Sequence, residues 1–431
     1  MKSQTLLITA FILLLGACRT SDDIKQTFQL PHSEPEAVGV SASKLAKMDS
    51  VFASYTSSKK VPAVGAMMIR KDQVVYHSAH GERILGADPL DKKDIFRIAS
   101  MSKPVTVVAA LILLEEAKLK LDDPIEKFIP EFASPKVIET FREADTTYST
   151  IKAESSITIR HLMTHTAGIG YPFIQKRAAM LYYPQGILDA FSLDSVKIEE
   201  TATKIAGLPL LHQPGQKYTY GLSIDVLGRI VEIASGQDLA SFMEERIFEP
   251  LGMEDTGFYL PAEKADRLVE VYVPDSLGGL ISIQKDQNDF PINYPIQGAQ
   301  TYYSGGAGLC STVEDYARFA LMLENGGIFS DTRILQEASV QKMASNHLDP
   351  QYFGEYQFGL GVGISQADEG ALHPDKLGRF GWGGYFKTRY WSDPSEDFVI
   401  VMMCQMGPSG IASDQMMDQA MKLAYESLKV E

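Results

Sequence analysis

The sequence predicts an α+β fold: an antiparallel sheet formed by both ends of the chain and flanked by helices, with an inserted, mostly helical domain. Apolar strand patterns over 63–70 and 74–77 flank Lys71-Asp72, which indicates a hairpin near the start of the chain. Strand patterns return only late in the chain, at 360–364, 386–391 and 398–404. Strands at both ends with helical patterns between them are typical of one sheet that receives an insertion.

Apolar residues at helical spacing predict helices before, within and after this insertion. Four of them indicate a first helix behind a Ser41 or Ser43 cap: Leu45, Met48, Phe52 and Tyr55. In the middle of the chain the same periodicity predicts helices over 159–164, 225–235, 239–247 and 313–323. A last helix is predicted over about 412–428. We therefore expect the sheet to come from about 38–100 and 350–431, and the helical part from about 101–349.

The first residues resemble a signal peptide with a lipidation site. Lys2 precedes an apolar stretch over 6–15, which is shorter than the roughly 18 residues that span a membrane. Leu15-Gly16-Ala17-Cys18 resembles the bacterial lipobox, whose cysteine is lipidated and becomes the mature N-terminus. We expect a signal peptide at 1–17, a lipidated Cys18 and a tether over 18–37, hence a lipoprotein of the bacterial cell envelope on the periplasmic side or the cell surface. An ordinary secretory signal with an incidental cysteine is the alternative.

The composition excludes some classes of partner. The chain has 431 residues, of which 45% are hydrophobic and 22% charged, and its formal net charge is −15. No basic run or basic-aromatic array is present in the sequence, so we expect no nucleic-acid binding. The sequence has no metal-ligand spacing, and we expect neither a metal nor another cofactor. Cys310 and Cys404 lie in apolar surroundings that favour buried thiols, while an oxidising compartment leaves a disulfide between them open.

The strongest functional signal is Ser100-Met101-Ser102-Lys103, a serine placed one helical turn before a lysine. A serine hydroxyl needs an adjacent base to act as a nucleophile, and residues three apart on a helix share a face. The same Ser-x-x-Lys spacing also occurs at Ser41, Ser57, Ser149, Ser282 and Ser339. Only Ser100 is followed by the long apolar run over 105–114, which predicts a buried helix with a site at its N-terminus. Ser100 is therefore the candidate nucleophile and Lys103 its partner.

Three further segments accompany this pair. Residues 157–169 begin a helix, 213–223 form a tyrosine-rich approach to a helix, and 380–385 carry paired glycines beside a strand. Together with Ser100 and Lys103, these segments resemble the serine β-lactamase-like family, which includes class C β-lactamases, penicillin-binding DD-peptidases, D-aminopeptidases and family VIII esterases. The match runs over roughly residues 38–425 in the order typical of the family. The resemblance implies an antiparallel sheet flanked by helices and an all-helical domain, in agreement with the patterns above.

The resemblance also implies catalytic roles by position. Ser100 matches the nucleophile that is acylated, and Lys103 matches its general base. Tyr220, just before the predicted helix at 223–227, matches the tyrosine that relays the proton to the leaving group. The backbone N–H groups of Ser100 and Tyr385 would form the oxyanion hole, which stabilises charge that develops in the transition state.

Two positions depart from the β-lactamase and DD-peptidase pattern. The second motif of those enzymes usually ends in asparagine, where this chain has Leu222, and the third usually begins with lysine or histidine, where it has Trp382. Both departures run toward the family VIII esterases, whose third motif is often Trp-Gly-Gly, as in Trp382-Gly383-Gly384. We expect four residues to contact substrate: Leu222, Trp382, Gly383 and Gly384. Whether Arg389 supplies a cation from elsewhere stays open.

We therefore expect a serine hydrolase that forms an acyl-enzyme on Ser100 and acts on carboxylic esters. A β-lactamase, a D-alanyl peptidase or a D-aminopeptidase with the same Ser-Lys-Tyr site is the first alternative. A non-catalytic binding relative is the second, although intact Ser100, Lys103 and Tyr220 argue against it. The expected partners are a small-molecule ester, amide or β-lactam substrate and, through the lipid anchor, a membrane.

Overall fold

A computed structural model of the protein describes residues 28–283, 291, 293–365, 379–407 and 409–428. The strands of this part are β1 (Ala63–Arg70), β2 (Gln73–Ile84), β3 (Asp88–Pro89), β4 (Phe96–Arg97), β5 (Lys136–Arg142), β6 (Thr147–Lys152), β7 (Tyr272–Pro274), β8 (Leu280–Ser282), β9 (Cys310–Ser311), β10 (Ile328–Phe329), β11 (Thr332–Arg333), β12 (Gly363–Ile364), β13 (Phe380–Gly384), β14 (Thr388–Asp393) and β15 (Phe398–Met403). The α-helices are α1 (Ala42–Ser57), α2 (Ser102–Glu115), α3 (Ile159–Met163), α4 (Lys176–Tyr182), α5 (Ile198–Ala206), α6 (Ser223–Ser235), α7 (Leu239–Met243), α8 (Glu249–Leu251), α9 (Val313–Glu324), α10 (Glu337–Met343), α11 (Pro350–Phe353) and α12 (Ile411–Ser427).

The main sheet joins the two ends of the chain. Its seven strands follow the order β12-β13-β14-β15-β1-β2-β3, and every neighbouring pair is antiparallel. β1 pairs with β2 on one side and with β15 on the other, so that Gly65 lies opposite Met403. This arrangement confirms the predicted α+β class and the predicted sheet built from both chain ends.

Both faces of the sheet are covered, because side chains of β1 alternate between two cores. Met67 belongs to the large core that also contains the apolar residues of α2 and α9. Met68 belongs to a second core formed with α1 and α12, which includes Phe52 and Met417. All six residues of β15 are buried, as expected for a strand covered on both faces.

Helix α2 is buried all round and carries the Ser-x-x-Lys pair at its start. Every residue over 102–113 is buried, so the helix lies in the centre of the large core and packs against α6. A 3₁₀ turn at Ala99–Met101 precedes it. Ser100 therefore lies in this turn, two residues before the α-helix and close to where the sheet meets the helical part.

The helical part also contains strands that the sequence patterns did not predict. β5 and β6 form a hairpin, and β7 pairs with β8, so strand structure does not return only late in the chain. Most side chains of β6 are exposed, and the strand therefore lacks the apolar alternation by which a half-buried strand is recognised. The predicted strand at 360–364 is reduced to Gly363–Ile364, and the one at 386–391 begins after a turn, at Thr388.

The described chain begins within the segment that was expected to be a tether. Leu30 is buried in the large core, and Arg318 donates a hydrogen bond of 3.0 Å to the carbonyl oxygen of Phe28. Phe28 and Leu30 therefore contact the rest of the protein although both precede residue 38. The predicted signal peptide and Cys18 lie outside the described residues. Within the described ranges, no helix has the length and apolarity needed to cross a bilayer.

Cys310 and Cys404 are both buried as free thiols. Burial raises the pKa of the Cys310 thiol to about 12, which keeps it protonated and unreactive at neutral pH. The interpretation of these residues as buried thiols is confirmed, and the alternative of a disulfide between them is wrong.

Glu324, at the end of α9, should make the stability of the protein depend on pH. Burial, reinforced by the nearby charge of Asp393, raises the pKa of this carboxyl to about 8. Because the group titrates near 4.3 in an unfolded chain, its contribution to stability is complete below that pH and is lost as the pH rises toward 8. The slope for one proton is at most about 1.4 kcal/mol per pH unit.

We expect Glu324→Gln to raise the free energy of unfolding at pH 8 relative to the parent and to flatten its decline between pH 5 and pH 8. Urea unfolding at several pH values measures both quantities. Glu263→Gln, which replaces an exposed carboxylate, is the matched control and should keep the parent's pH dependence. An unchanged pH dependence in Glu324→Gln would contradict the assignment.

Candidate active site

Ser100 and Lys103 meet at the start of α2. The Nζ atom of Lys103 lies 3.3 Å from the Oγ atom of Ser100, as the one-turn spacing predicts. The lysine side chain is completely buried. Its Nζ atom also donates to the carbonyl oxygen of Gly306 at 2.7 Å and to the hydroxyl of Tyr171 at 3.1 Å. Three oxygen atoms therefore fix the amine beside the serine hydroxyl.

The turn that presents Ser100 is held under backbone strain. Ala99 has a φ of 44°, a left-handed conformation that costs an L-residue roughly 1–2 kcal/mol. Ser102 stabilises the turn, because its hydroxyl donates to the Ala99 carbonyl oxygen at 2.7 Å and accepts from the Leu309 N–H at 3.0 Å. Strain of this kind is typical of functional sites, where the surrounding structure fixes a side chain in one position.

Tyr220, and not Tyr218, lies beside Lys103. The ring centroid of Tyr220 is 4.6 Å from the Nζ atom of Lys103. The ring of Tyr218 instead packs edge-on against Phe358 at 5.2 Å and against Tyr356 at 5.6 Å. The structure thus brings together Ser100, Lys103 and Tyr220, the three residues predicted as catalytic.

Tyr171 is a second tyrosine at the amine, and sequence reasoning did not single it out. Its hydroxyl lies 3.1 Å from Lys103 Nζ, and its side chain is buried. Burial, reinforced by the charge of Asp225, raises the pKa of this phenol well above its ordinary value, so it stays protonated. It follows Gly168-Ile169-Gly170 just beyond the 157–169 segment, and an aromatic residue after that glycine pair is the signal that could have indicated it.

Asp225 acts indirectly on the Lys103 amine, through the loop that contains Gly306. This residue was not predicted from the sequence. One carboxylate oxygen accepts hydrogen bonds from the Ser304 hydroxyl at 2.6 Å and from the Gly306 N–H at 3.2 Å. It therefore fixes the loop whose Gly306 carbonyl binds Lys103. Burial raises the pKa of Asp225, while the bond from Ser304 and the charge of Lys103 oppose that shift. An acidic residue in the apolar run at 223–227 was the available signal.

A cavity of about 350 Å³ opens in front of Ser100. Its lining consists of Ser100, Phe173, Ile174, Tyr220, Trp382, Gly383 and Tyr385, which are all uncharged. The indole N–H of Trp382 has no hydrogen-bond partner among the described residues. The cavity is therefore an apolar site with a nucleophile at its base and few polar groups to orient a ligand, as small-molecule sites usually are.

The glycine pair brings β13 close to the nucleophile. A Cβ atom on Gly384 would lie 2.2 Å from the carbonyl oxygen of Ile98, so only glycine fits at this approach. Tyr385 follows directly in the turn after β13 and lines the same cavity as Ser100. Gly384 itself is not among the lining residues, because it packs against Ile98 instead.

Two of the four expected substrate contacts, Leu222 and Gly384, are absent from the cavity lining, and the open question about Arg389 is answered by its partners. Leu222 is completely buried before α6 and does not line the cavity, so the expectation that it contacts substrate does not fit its position. Arg389 pairs with Asp418 at 2.7 Å and with Asp414 at 3.3 Å, both on α12. Because α12 covers the opposite face of the sheet from α2, this cation is directed away from the cavity.

Several known proteins are similar to this chain over most of its length. Protein Rv1367c of Mycobacterium tuberculosis (strain ATCC 25618 / H37Rv) is 33% identical over 364 residues, which cover 79% of this chain and 85% of that protein. Esterase EstB of Burkholderia gladioli is 28% identical over 399 residues, which cover 88% of this chain and 95% of the esterase. The solved structure of EstCE1, a hydrolase with promiscuous acyltransferase activity, matches with a TM-score of 0.75 and 27% identity over 89% of this chain and 99% of its own. Since a family model described as Beta-lactamase also matches residues 48–425, this chain belongs to the Beta-lactamase family.

Proposed function

We propose that this protein is a serine hydrolase that cleaves carboxylic esters through an acyl-enzyme on Ser100. The observation that carries the proposal is the 3.3 Å contact between Lys103 Nζ and Ser100 Oγ at the base of an uncharged cavity. A nucleophile within hydrogen-bond reach of a buried amine is the arrangement that covalent catalysis by serine requires.

The proposed reaction has two steps that use the same groups. Ser100 Oγ attacks the ester carbonyl while Lys103 accepts its proton, Tyr220 relays that proton to the alcohol oxygen, and the N–H groups of Ser100 and Tyr385 stabilise the oxyanion. The C–O bond to the alcohol then breaks, and the alcohol leaves with that proton. In the second step water attacks the acyl carbonyl while Lys103 accepts one of its protons, the bond between the acyl carbon and Ser100 Oγ breaks, the acid departs, and that proton returns to Ser100.

The lining of the cavity favours a neutral ester over a β-lactam or a D-alanyl peptide. Those substrates carry a carboxylate, and a charged hydrogen bond to it would contribute about 1.5–3 kcal/mol. Among the lining residues no cation is present, and Arg389 is engaged by α12. The similarity to Esterase EstB supports ester hydrolysis.

A panel of substrates tests the proposal. We expect p-nitrophenyl acetate and butyrate to be hydrolysed with a higher kcat/KM than nitrocefin or a D-alanyl-D-alanine peptide. Slow acylation by a β-lactam remains compatible with this ranking, because an apolar wall discriminates weakly. Turnover of nitrocefin or of the peptide above that of every ester tested would overturn the esterase assignment.

Tyr220→Phe should separate the two tyrosines of the second motif. Because its hydroxyl is proposed to move the proton, its loss is expected to lower kcat by about 10²-fold or more. Tyr218→Phe removes a hydroxyl from a residue packed against Phe358 and is the matched control, with an expected change of less than about 3-fold. Steady-state kinetics with p-nitrophenyl butyrate measures both. A severe loss in Tyr218→Phe with an active Tyr220→Phe would show that the register is wrong.

We also propose that Cys18 is lipidated and anchors the protein to the bacterial cell envelope. The support is the position of Leu15-Gly16-Ala17-Cys18 directly after an apolar stretch. We expect the protein expressed from its full gene to partition into detergent and the Cys18→Ser variant into the aqueous phase. A native protein in the aqueous phase with another N-terminal residue would contradict the anchor.

A further inference from the structure

We propose that His165 is a positioning residue that fixes the ring of Tyr220 for proton transfer in the Ser-Lys-Tyr site. The proposal rests on the ester hydrolysis proposed for Ser100 and gives a residue of the 157–169 segment a part in it. His165 is not among the residues that line the cavity, so it acts on the reaction through Tyr220 and not through the substrate.

In the described part of the chain, three rings pack around Tyr220, and the ring of His165 is the nearest. The ring centroids of His165 and Tyr220 are 4.7 Å apart, with the planes tilted by 55°. The rings of Tyr171 and Trp382 lie at 5.5 and 5.8 Å. Because protein interiors are close-packed, rings in contact limit each other's positions. The place of the Tyr220 ring beside Lys103 therefore depends on His165.

The backbone of His165 holds the same segment. Its carbonyl oxygen accepts a hydrogen bond of 2.8 Å from the N–H of Thr219, the residue before Tyr220. The hydroxyl of Thr219 lies 2.8 Å from Nε2 of His212, which fixes this residue a second time. The two rings in contact are thus carried by backbone segments that are bonded to each other.

The backbone conformation explains why a histidine occupies this position. The φ of His165 is 55°, in the left-handed region. Among residues other than glycine, this region is enriched in asparagine, aspartate and histidine. Of these three, histidine alone carries a ring. The position therefore combines a left-handed turn after α3 with a ring that reaches Tyr220.

The ring nitrogens indicate that this side chain does more than fill the core. His165 is completely buried, and neither Nδ1 nor Nε2 has a hydrogen-bond partner among the described residues. Such unpaired polar groups cost about 1–3 kcal/mol, a cost that proteins accept mainly at functional sites. Burial, reinforced by the charge of Lys103, lowers the pKa of His165 well below its ordinary value. The ring is therefore neutral and places no second cation beside the amine.

His165→Asn removes the ring and keeps a residue that tolerates a positive φ. We expect kcat/KM for ethyl butyrate, per Ser100 labelled by a fluorophosphonate probe, to fall by about 10-fold or more, because a 1 Å misplacement can cost about 10²-fold. The fall should be smaller for p-nitrophenyl butyrate, since p-nitrophenol is a stronger acid than ethanol and depends less on the proton that Tyr220 relays. His165→Phe retains a ring and should stay within about 3-fold of the parent for both esters.

A double-mutant cycle tests whether the loss passes through Tyr220. In the Tyr220→Phe background, His165→Asn should lower kcat/KM by less than about a further 2-fold, because the relay is already absent. His161→Asn is the matched control. It changes a histidine of the same segment whose Nδ1 accepts a hydrogen bond from the Thr158 N–H at 3.2 Å and so caps α3. This variant should lower the thermal midpoint and keep the parent kcat/KM per labelled site.

Crystal structures of the parent and of His165→Asn give a readout that needs no substrate. We expect the ring of Tyr220 to leave its place 4.6 Å from Lys103 Nζ, and an unchanged ring would overturn the proposal. Equal losses for the two esters, an equal loss in His165→Phe, or a full further loss in the Tyr220→Phe background would overturn it as well. Absence of turnover for every ester, or turnover that persists in Ser100→Ala, would overturn the proposed function instead, and the two structures would still decide the role of His165.

Discussion

Ser100→Ala is expected to abolish covalent labelling by a fluorophosphonate probe and to lower kcat/KM for p-nitrophenyl butyrate by about 10⁴-fold or more. Without the hydroxyl no acyl-enzyme forms, and only the binding and oxyanion groups remain to assist water. Mass spectrometry of the labelled parent should place the adduct on the peptide that contains Ser100. No other change should reduce activity as strongly, because this residue supplies the bond-forming atom.

Two serines control for this result. Ser41→Ala changes a serine with the same Ser-x-x-Lys spacing at the start of α1 and should leave labelling and turnover intact. Ser102 lies two residues from the nucleophile, but its hydroxyl is bonded to Ala99 and Leu309. An adduct on Ser102, or labelling that is lost in Ser41→Ala and kept in Ser100→Ala, would refute the assignment.

Lys103→Met should separate catalysis from stability. Removal of the amine 3.3 Å from Ser100 Oγ is expected to lower kcat by about 10²–10⁴-fold, the range of general acid–base catalysis. The side chain is completely buried, and methionine fills a similar volume without the cost of a buried amine. We therefore expect the thermal midpoint to stay within a few degrees of the parent or to rise.

Kinetics and a thermal melt of the same preparation measure the two effects. Lys342→Met, which changes the lysine of the Ser339-x-x-Lys342 match on α10, is the control and should alter neither. A Lys103→Met enzyme with parental kcat would remove the lysine from the mechanism. A large fall in the thermal midpoint would mean instead that the amine mainly supports the structure.

The parts of the fold that could be predicted are the helices and strands whose own sequences show a clear apolar pattern. β1 and the last strand show continuous apolar runs because both of their faces are covered, and the last helix shows apolar periodicity because it buries one face. The β5–β6 hairpin buries little, so its polar sequence carried no such signal. For Leu222 the sequence motif predicted a substrate contact that the structure does not show. The residue precedes α6 and is completely buried, which only the packing around that helix reveals.

The same distinction applies to the candidate site. Ser100 and Lys103 are three residues apart, so the geometry of one helical turn was enough to bring them together. Tyr171 and Gly306 reach the same amine from loops far along the chain, and their contacts depend on tertiary packing. Asp225 acts one step further away, through the loop that it fixes. Such partners have no fixed sequence spacing and become visible only in the folded structure.

The pairing of β1 with β15 has a consequence for how the protein is made. Gly65 leaves the ribosome long before its partner Met403, which follows it by 338 residues. Until then the nascent chain holds β1 and β2 with one open edge, and open edges of apolar strands invite pairing with other chains. A product terminated before Phe398 would lack the strand that closes this edge, although it contains every residue of the Ser-Lys-Tyr site. Because β15 covers this edge of β1, we expect a product that lacks β15 to aggregate more readily than one that contains it.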